Sequence, residues 1–508
     1  MPELTNHHAA LLLLMTFLPA VTGIVIAAAV PAALARTVAL AGAVLTFLVS
    51  LTFVGGIFGM PADFTAAVNI PWIERYNVAL LMGLDGLSGS LVLLTNVLII
   101  LAVLGSWTAI AARQKEFYFY LLLLQTGILG AFLALDLLLF YIFWEIMLIP
   151  LYFLIGIFGS KNRIYATTKF FLYTMAGSLL MLLGIIALYF HTGSFALADA
   201  LGAAATLDPT ARLLIFLSFV IAFAIKVPLF PLHTWLPDAH TEAPTAGSVV
   251  LAGVLLKTGV YGLLRFAIPL FPAEAARIAP LMMLLAVIAI IYGALTAFAQ
   301  RDMKRLVAYS SVSHMGFIVL GVFAFREAAI TGASLQMINH GISTSGLFLC
   351  VGYLYERRHT RELAAFGGLA HNMKLYAVLT MIMILSSVGL PGLNGFVGEF
   401  MILVGAYPAN AVLTIIAATG VILAACYLLR LMQETFYGPL DKDENKVLRD
   451  LNPRESFTLV VLAVFALWIG LYPRTFTEPL APVSERIVRA VEAAQSPGTA
   501  LADATAGK

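Results

Sequence analysis

The stretch AFAIKVPLFPLHTWLPDAH, residues 222–240, decides the fold of this chain. It continues an apolar run, yet it carries Lys226 and then Pro228 and Pro231. Proline removes a backbone N–H donor and breaks a helix. Broken backbone at membrane depth is tolerated only where it is buried in protein or lines a water-filled cavity. The stretch therefore predicts a broken membrane helix with a lysine beside the break.

The composition of the chain is typical of a membrane protein. Of its 508 residues, 61% are hydrophobic and 11% are charged, and the mean hydropathy is +0.97. A soluble domain is nearer half apolar and about a quarter charged. The formal net charge of +2 gives no reason to expect a nucleic-acid partner.

Apolar runs long enough to cross the hydrocarbon core occur about fourteen times, since a crossing takes roughly 20 apolar helical residues. The predicted spans begin near Ala9, Thr37, Leu87, Phe117, Leu137, Ala166, Leu213, Ala246, Ile278, Lys304, Ala328, Leu375, Ala411 and Ser456. The first run lacks the Lys/Arg-rich start of a signal peptide, so we expect a retained helix. The predicted fold is an all-α polytopic membrane protein, with longer loops at 58–85 and 436–455 and a short polar tail after Pro473.

A second interruption, GLPGLNGFVGE at residues 389–399, breaks the twelfth span with Pro391, Gly392 and Gly395. Paired broken helices are typical of transporters with internal repeats. Five spans separate the two breaks, as two inverted five-helix repeats over spans 4–8 and 9–13 would require. Two ordinary proline kinks are the alternative. The predicted divisions are 1–110 for the first three helices, 111–272 and 273–437 for the two repeats, and 438–508 for the last helix and polar tail.

Positive charge indicates how the chain is oriented, because Lys and Arg are enriched in cytoplasmic loops. Here they concentrate beside the odd-numbered connections, at Arg113, Lys115, Lys161, Arg163, Arg301, Lys304, Arg305, Arg357, Arg358, Arg361, Lys442 and Lys446. The even-numbered connections hold fewer, such as Arg75, Arg212 and Arg277. With an even number of spans, we expect both termini on the periplasmic side of a bacterial inner membrane.

Six ionisable side chains lie deep in the predicted spans and are the candidate proton-transfer residues: Glu145, Lys226, Lys257, His314, His340 and Glu399. A charge at the bilayer centre costs about 2.5–3.5 kcal/mol on insertion scales, and such residues usually face a protein interior or a water-filled cavity. A buried lysine that can be charged or neutral within a small energy range is a usable proton carrier. Glu145 and Lys226 could instead form a static ion pair, and the two histidines could be ordinary core groups satisfied by nearby serines.

The sequence contains no motif for a redox cofactor, a nucleotide or a metal. Cys350 and Cys426 are far apart, whereas an iron–sulfur cluster usually needs four grouped cysteines. No GxGxxG follows a predicted strand, and there is no Walker loop. We therefore expect no cofactor and no metal in this chain, and any energy for transport must come from elsewhere.

Three long motifs resemble the antiporter-like membrane subunits of respiratory complex I, the NADH:quinone oxidoreductases. They are KVPLFPLHTWLPDAHTEAPTAGSVVLAGVLLKTGVYGLLR at 226–265, QRDMKRLVAYSSVSHMGFIVLG at 300–321 and LPGLNGFVGEF at 390–400. The resemblance extends from the third span to the thirteenth. Glu399 favours the M-type (chain 4) branch of the family, because L- and N-type relatives usually carry lysine there. The stretch after the last span is also too short for the lateral helix of the L type.

The resemblance implies a role for each candidate residue. Lys226 would be the switchable lysine beside the broken helix, with Glu145 as its acidic partner. Lys257 would lie centrally, and the two candidate histidines would link it to the far half of the protein. Glu399 would exchange protons with the outlet.

The function implied by the resemblance is proton translocation coupled to quinone reduction elsewhere in the complex. FMN, iron–sulfur clusters and quinone would then belong to other subunits. The expected partners are other membrane subunits, with an antiporter-like subunit on each side, together with lipid, protons and internal water. The alternatives are a subunit of a multisubunit sodium/proton antiporter and a non-conducting structural subunit. Sodium would need oxygen ligands clustered at a helix break, whereas the deep sites here are mostly lysine and histidine.

Overall fold

The computed structural model describes residues 6–55 and 66–495, which are mostly helical. The helices are α1 Asn6–Ala28, α2 Ala35–Leu51, α3 Gly86–Gly105, α4 Gln114–Leu133, α5 Leu137–Phe158, α6 Arg163–Thr192, α7 Leu197–Ala204, α8 Pro209–Lys226, α9 Trp235–Glu242, α10 Thr245–Leu270, α11 Pro272–Phe298, α12 Met303–Phe323, α13 Glu327–Arg358, α14 Lys374–Val388, α15 Asn394–Ala406, α16 Ala411–Phe436, α17 Asp443–Lys446, α18 Pro453–Leu471, α19 Arg474–Thr477 and α20 Ala481–Gln495. The strands are β1 Ala66–Ile73 and β2 Val78–Leu84, and single 3-10 turns lie at Ala32–Leu34, Glu74–Tyr76, Leu363–Ala365 and Leu369–His371.

The helices account for fourteen crossings within the described residues. Twelve are long and apolar enough by themselves to cross a membrane. Helix α13 provides a further crossing, the eleventh in chain order, and its 32 residues extend roughly 48 Å at 1.5 Å per residue. It is more polar than the others because most of its side chains are buried against neighbouring helices. The two shorter helices α14 and α15 together form the remaining crossing, which is the twelfth in chain order. The predicted polytopic helical fold is therefore confirmed.

The first broken helix lies where the proline pattern predicts it. Helix α8 ends at Lys226, residues 227–234 are non-helical, and α9 follows. Pro228 and Pro231 both lie in this interruption. A helix end leaves carbonyl oxygens without partners, and here the indole N–H of Trp235 donates to the carbonyl of Ile225 at 2.9 Å. The break is therefore stabilised by a side chain from the half-helix that follows it.

The second break separates α14 from α15 at residues 389–393 and contains Pro391. Gly389 and Gly392 have φ angles of 84° and 93°, which side chains rarely tolerate. The prediction that Gly395 belongs to the break is wrong, because it lies in the first turn of α15. A Cβ atom there would come within 2.0 Å of the Ser386 carbonyl oxygen. Gly395 therefore allows the two half-helices to approach each other.

A two-stranded antiparallel sheet occupies most of the loop predicted at 58–85. Strand β1 pairs with β2, with Ala66 opposite Leu84 and Ile73 opposite Val78. The chain reverses through a 3-10 turn and Asn77, whose φ is 52°. The turn lacks the Asn-Gly or Asp-Gly pair that marks a hairpin in sequence, so the pattern did not predict it. Residues 58–65 lie outside the described residues.

The segment predicted as a polar tail contains the amphipathic helix α20. Val483, Ile487 and Val491 are buried and lie four residues apart, which puts them on one helix face. The tail predicted as polar after Pro473 thus includes a helix that is polar on most of its surface and buries one apolar face. The final residues, 496–508, lie outside the described residues.

The core of the bundle consists of helices that lipid does not reach. In α10 the whole apolar stretch is buried, and in α12 almost all of it is. Helix α13 packs against α10, α12 and α15. These four helices carry Lys257, His314, His340 and Glu399, so the fold places these candidates together in its interior.

Candidate functional site

Lys257 lies between two π-helical segments of α10, Leu251–Leu255 and Leu263–Ala267. A π segment widens the helix by one residue in a turn and is frequent at functional sites. The side chain of Lys257 is fully buried, and its Nζ donates a hydrogen bond to the carbonyl of Ala252 in the first π segment. The irregular turn thus provides a backbone acceptor for a lysine that water does not reach.

His340 of α13 contacts Lys257 directly. The distance from Lys257 Nζ to His340 Nδ1 is 2.7 Å. On its other side, the ring of His340 is 5.8 Å from the ring of His314 in α12, centroid to centroid. His340 therefore joins the central lysine to the helices of the second half.

His314 contacts Glu399 of α15. Together, Lys257, His340, His314 and Glu399 form a row of buried ionisable side chains, called the line below. The Nδ1 atom of His314 is 2.8 Å from Glu399 Oε1, and both side chains are only 4% exposed. Gln336 donates to the same carboxylate oxygen at 3.1 Å, and the hydroxyl of Tyr427 is 3.4 Å from His314 Nε2. A Cβ atom on Gly398 would lie 2.3 Å from the Gln336 side-chain oxygen. The missing side chain at Gly398 therefore lets Gln336 reach Glu399.

A small polar cavity lies beside the two histidines. Its volume is about 10 Å³, and its lining residues are His314, Gln336, Asn339, His340, Ser343, Thr344, Ser386, Ser387 and Gly395. That is roughly the space one water molecule needs, and a buried water also needs two to four polar partners. The lining meets both conditions, so the gap between the histidine rings is suited to a bridging water.

The predicted pair of Glu145 and Lys226 is not in contact. Neither Lys226 Nζ nor Glu145 Oε1 has a hydrogen-bond partner among the described residues. Lys226 Nζ instead lies 4.9 Å from the centre of the Trp144 ring, which is a cation–π arrangement. Glu145 and Lys226 therefore form no ion-pair contact in this structure.

Helices α8 and α10 approach closely beside the first break. A Cβ atom on Gly259 would lie 2.9 Å from the Phe223 carbonyl oxygen, and one on Gly262 would lie 2.3 Å from the Phe223 ring. The last turn of α8, which bears Lys226, is thus held against α10. The structure joins Lys257 to His340 and His314 to Glu399 by contact and places the two histidine rings 5.8 Å apart. It leaves Lys226 and Glu145 outside that line.

Gln336, Asn339 and His240 are buried polar side chains near the site that were not predicted from the sequence. Asn339 donates to the Gln336 side chain at 3.1 Å and to the carbonyl of Asn394 at 2.8 Å. His240 is fully buried and stacks on Phe348 with 4.7 Å between ring centroids. Amide side chains carry no charge that would mark them in an apolar run. His240 lies in the first motif, but nothing local distinguished it from a solvated residue.

Lys304 is a third buried lysine, after Lys226 and Lys257, although its loop-like context placed it among the surface charges. It is 7% exposed, and its Nζ donates to the carbonyl of Ala243 at the end of α9. It also lines a cavity of about 450 Å³ that Glu356 and Arg361 share. This cavity opens at the side of the odd-numbered connections.

The candidate residues do not form a metal-binding group within the part of the chain that the structure describes. Within residues 6–55 and 66–495, no three His, Cys, Asp or Glu side chains are placed to hold an ion. The line contains one carboxylate, two imidazoles and an amine, whereas hard cations take six or more oxygen ligands. Groups that both donate and accept protons are better suited to proton transfer.

The sequence and the fold of the chain have counterparts among known proteins. Residues 134–424 match the family described as NADH:quinone oxidoreductase/Mrp antiporter, TM. This chain belongs to that family. NADH-quinone oxidoreductase subunit M of Rhodobacter capsulatus is 44% identical over 515 residues, which cover 98% of this chain and 99% of the relative. Subunit M of Escherichia coli (strain K12) is 44% identical over 437 residues, covering 84% and 85%.

Two solved structures share this fold. A chain of respiratory complex I from Thermus thermophilus with bound NADH has a TM-score of 0.87 and 35% identity, covering 94% of this chain and 99% of that one. A chain of the Mrp complex from Dietzia sp. has a TM-score of 0.84 at 22% identity, covering 96% and 100%, and this likeness concerns the fold alone. The resemblance read from the three motifs is confirmed.

Proposed function

We infer that this chain is a proton-translocating, M-type membrane subunit of a bacterial NADH:quinone oxidoreductase. The observation that supports this best is the buried line from Lys257 through His340 and His314 to Glu399, with contacts of 2.7 Å and 2.8 Å at its two ends. The redox chemistry, with its FMN, iron–sulfur clusters and quinone, belongs to other subunits. This subunit uses their energy to move protons.

The route begins at the 450 Å³ cavity beside Lys304, which lies at the face rich in positive loops. From there the proton reaches Lys257 and passes to His340, whose nitrogen is within hydrogen-bond distance. A water in the small polar cavity carries it to His314. Glu399 receives it last and delivers it to the opposite face or to a neighbouring subunit.

Lys226 and Glu145 control the loading of this line. Opposite charges attract more strongly as they approach, and the attraction is greatest where water is scarce. When Glu145 moves toward Lys226, it stabilises the charged lysine. When the two separate, as they are here, that stabilisation is lost and Lys226 releases its proton toward Lys257. Quinone reduction elsewhere drives the movement of the pair.

The arrangement in the membrane follows from the same features. Both termini face the periplasm, since the lysines and arginines concentrate at the odd-numbered connections. Residues 111–272 and 273–437 form inverted five-helix repeats, which is supported by one broken helix in each. An antiporter-like subunit adjoins this chain on each side, in keeping with its membership of the family.

The test is to replace Lys257 with methionine in the assembled complex and to measure proton pumping and NADH oxidation in membrane vesicles. Methionine keeps the length of the side chain and removes its proton. We expect the complex to assemble and pumping to fall. Lys446→Met is the matched control, because Lys446 is about half exposed and pairs with nearby Asp443. A normal ratio of protons to electrons in Lys257→Met would refute this function for the line.

A further inference from the structure

Glu356 is a partly buried carboxyl group in the last turn of α13 that is separate from the line. It lies roughly 24 Å beyond His340 along the same helix, at 1.5 Å per residue. Half of a bilayer, with its headgroup layer, measures about 20–23 Å. Because His340 lies in the interior of the bundle, Glu356 lies where α13 reaches the surface, at the face of the odd-numbered connections.

The cavity of about 450 Å³ beside Lys304 is lined in part by Glu356. At roughly 30 Å³ of liquid volume for each water molecule, it has room for several. Its walls come from five successive odd-numbered connections and the helix ends beside them, at Thr108, Ser160, Pro244, Lys304 and Arg361. The cavity is therefore an inlet shared by the ends of the central helices.

Glu356 is the only acidic side chain among the described residues that line this cavity, and the basic ones are Lys304, His359 and Arg361. Arg361 pairs with Asp302 at 3.0 Å, and an arginine keeps its proton throughout the accessible pH range. His359 is exposed, beyond the end of α13. Inside the cavity, Glu356 and Lys304 are therefore the groups that can exchange a proton.

The two carboxyl oxygens of Glu356 have different surroundings. Oε2 accepts a hydrogen bond from the Thr108 hydroxyl at 2.9 Å. Oε1 is buried and has no hydrogen-bond partner among the described residues. An unpartnered buried oxygen costs more free energy when it is charged than when it is neutral. Glu356 is therefore suited to hold a proton as well as to release one.

The charged groups next to Glu356 are engaged in other contacts. Arg357, the following residue, pairs with Glu455 at 2.6 Å. Arg454 donates a hydrogen bond to the Thr108 hydroxyl at 3.1 Å, so its guanidinium reaches Glu356 through that hydroxyl. Within the part of the chain that the structure describes, no static ion pair fixes the charge of Glu356.

We propose that Glu356 takes up protons at the cytoplasmic face and passes them through the cavity toward Lys304 and the line. This inference rests on the proposed function, which supplies the route that these protons follow. The carboxylate binds a proton from water at the surface, and it becomes charged again when that proton moves to cavity water on the side of Lys304. Its contribution is greatest at high pH, where free protons are scarce, because at low pH the cavity water receives protons directly from the medium.

The experiment measures the rate of proton pumping per assembled complex in inside-out membrane vesicles, with the outside medium set to pH 6 or pH 8.5. Glu356→Gln keeps the size of the side chain and can keep the hydrogen bond from Thr108, but it cannot exchange a proton. We expect it to pump roughly tenfold more slowly than the unmodified chain at pH 8.5, below the range of a positioned acid–base group because cavity water offers a direct path. At pH 6 the two rates should be almost equal. Glu356→Asp, which keeps an exchangeable proton, should retain most of the pumping at pH 8.5.

The matched control is Glu444→Gln, which removes a carboxylate at the same face whose side chain is 67% exposed and does not line the cavity. This variant should pump like the unmodified chain at both pH values. Normal pumping by Glu356→Gln at pH 8.5, or a loss of the same size at pH 6, would overturn the proposal. A larger loss in Glu356→Asp than in Glu356→Gln would also overturn it, because the length of the side chain would then matter and its proton would not.

Lys257→Met, measured in the same vesicles, separates this proposal from the proposed function. Slow pumping by Lys257→Met together with normal pumping by Glu356→Gln would refute the role of Glu356 alone. Normal pumping by Lys257→Met would refute the line, and the uptake of protons by Glu356 with it.

Discussion

The Nδ1 atom of His314 lies 2.8 Å from Oε1 of Glu399, and both side chains are almost fully buried. This contact joins α12 to the half-helix that follows the second break. The same carboxylate oxygen accepts a hydrogen bond from Gln336. Movement of Glu399 would therefore break its contacts with both His314 and Gln336. A change in the protonation of Glu399 would also change the electrostatic environment of His314.

Replacing Glu399 with glutamine should abolish most proton pumping while leaving assembly intact. Glutamine has the same shape but cannot release a proton, so the line would lose its exit. The measurement is the pH gradient formed by membrane vesicles during NADH oxidation. Glu434→Gln is the control, because that carboxylate is partly exposed and pairs with Arg430 one helical turn away. A wild-type gradient in Glu399→Gln would contradict the proposed exit.

Replacing His340 with glutamine should slow pumping by about two orders of magnitude, within the range that positioned acid–base groups contribute. Glutamine can keep a hydrogen bond to Lys257, but its amide cannot accept a proton from Lys257 and release it toward His314. The pumping rate should be measured together with the amount of assembled complex. His371→Gln, which changes an exposed residue at the end of a 3-10 turn, should pump normally. Equal rates in the two variants would show that the imidazole of His340 only fills space.

Glu145→Gln should uncouple pumping from NADH oxidation without destabilising the complex. Since Glu145 makes no contact with Lys226, its charge contributes little to folding, and we expect less than about 1 kcal/mol of change. Thermal unfolding and pumping should be followed on the same preparation. Lys226→Ala should show the same loss of pumping. Normal pumping in either variant would mean that the pair is not part of the mechanism.

Gly395→Ala should reduce the amount of assembled complex, because the new methyl group would lie 2.0 Å from the Ser386 carbonyl oxygen. Overpacking of this kind costs about 1–3 kcal/mol. The amount of complex in solubilised membranes reports the effect. Gly202→Ala, where a Cβ atom meets nothing within 4 Å, should assemble normally. Full assembly of Gly395→Ala would show that the half-helices can separate without cost.

The docking of α20 should be insensitive to pH between 8 and 5. Burial raises the pKa of Asp85, but Arg265 and then Arg486 outweigh it and hold the pKa below its usual range. Because the folded pKa is the lower one, the stabilisation is present above the ordinary value of about 3.9 and is lost only as pH falls through the folded pKa. Hydrogen exchange of residues 481–495 in the complex measures the docking.

Asp85→Asn should loosen α20 at both pH values, since it leaves two arginines without their shared carboxylate. Glu485→Gln, on the exposed side of the same helix, should leave the exchange unchanged. If the unmodified helix loosened between pH 8 and pH 5, another titrating group would have to hold it.

The crossings could be predicted from the sequence because the bilayer imposes a length and a composition on each. The first break was predictable for a similar reason, since Pro228 and Pro231 remove backbone donors at membrane depth. The candidate residues were identified because charge is costly there. Their contacts were not predictable: Lys257 and His340 are 83 residues apart, and only packing brings them together.

The features that the sequence did not predict depend on weak local signals. The hairpin turns through Asn77 without a glycine, and its strands contain too many apolar residues to show alternation. Helix α20 does carry a four-residue spacing of Val483, Ile487 and Val491, but it was obscured by the polar residues between them. Lys304 follows an arginine and an aspartate, which resembles a surface loop, whereas the fold buries it beneath α9.

The π segment at Leu251–Leu255 sets the angular position of Lys257 around its helix axis. A π segment is in effect one residue inserted into an α-helix, and each residue of an α-helix turns the chain by about 100°. Deleting a single apolar residue from this segment would restore a regular helix and rotate everything beyond it by that angle. Lys257 would then point away from His340, although no charged residue had been changed.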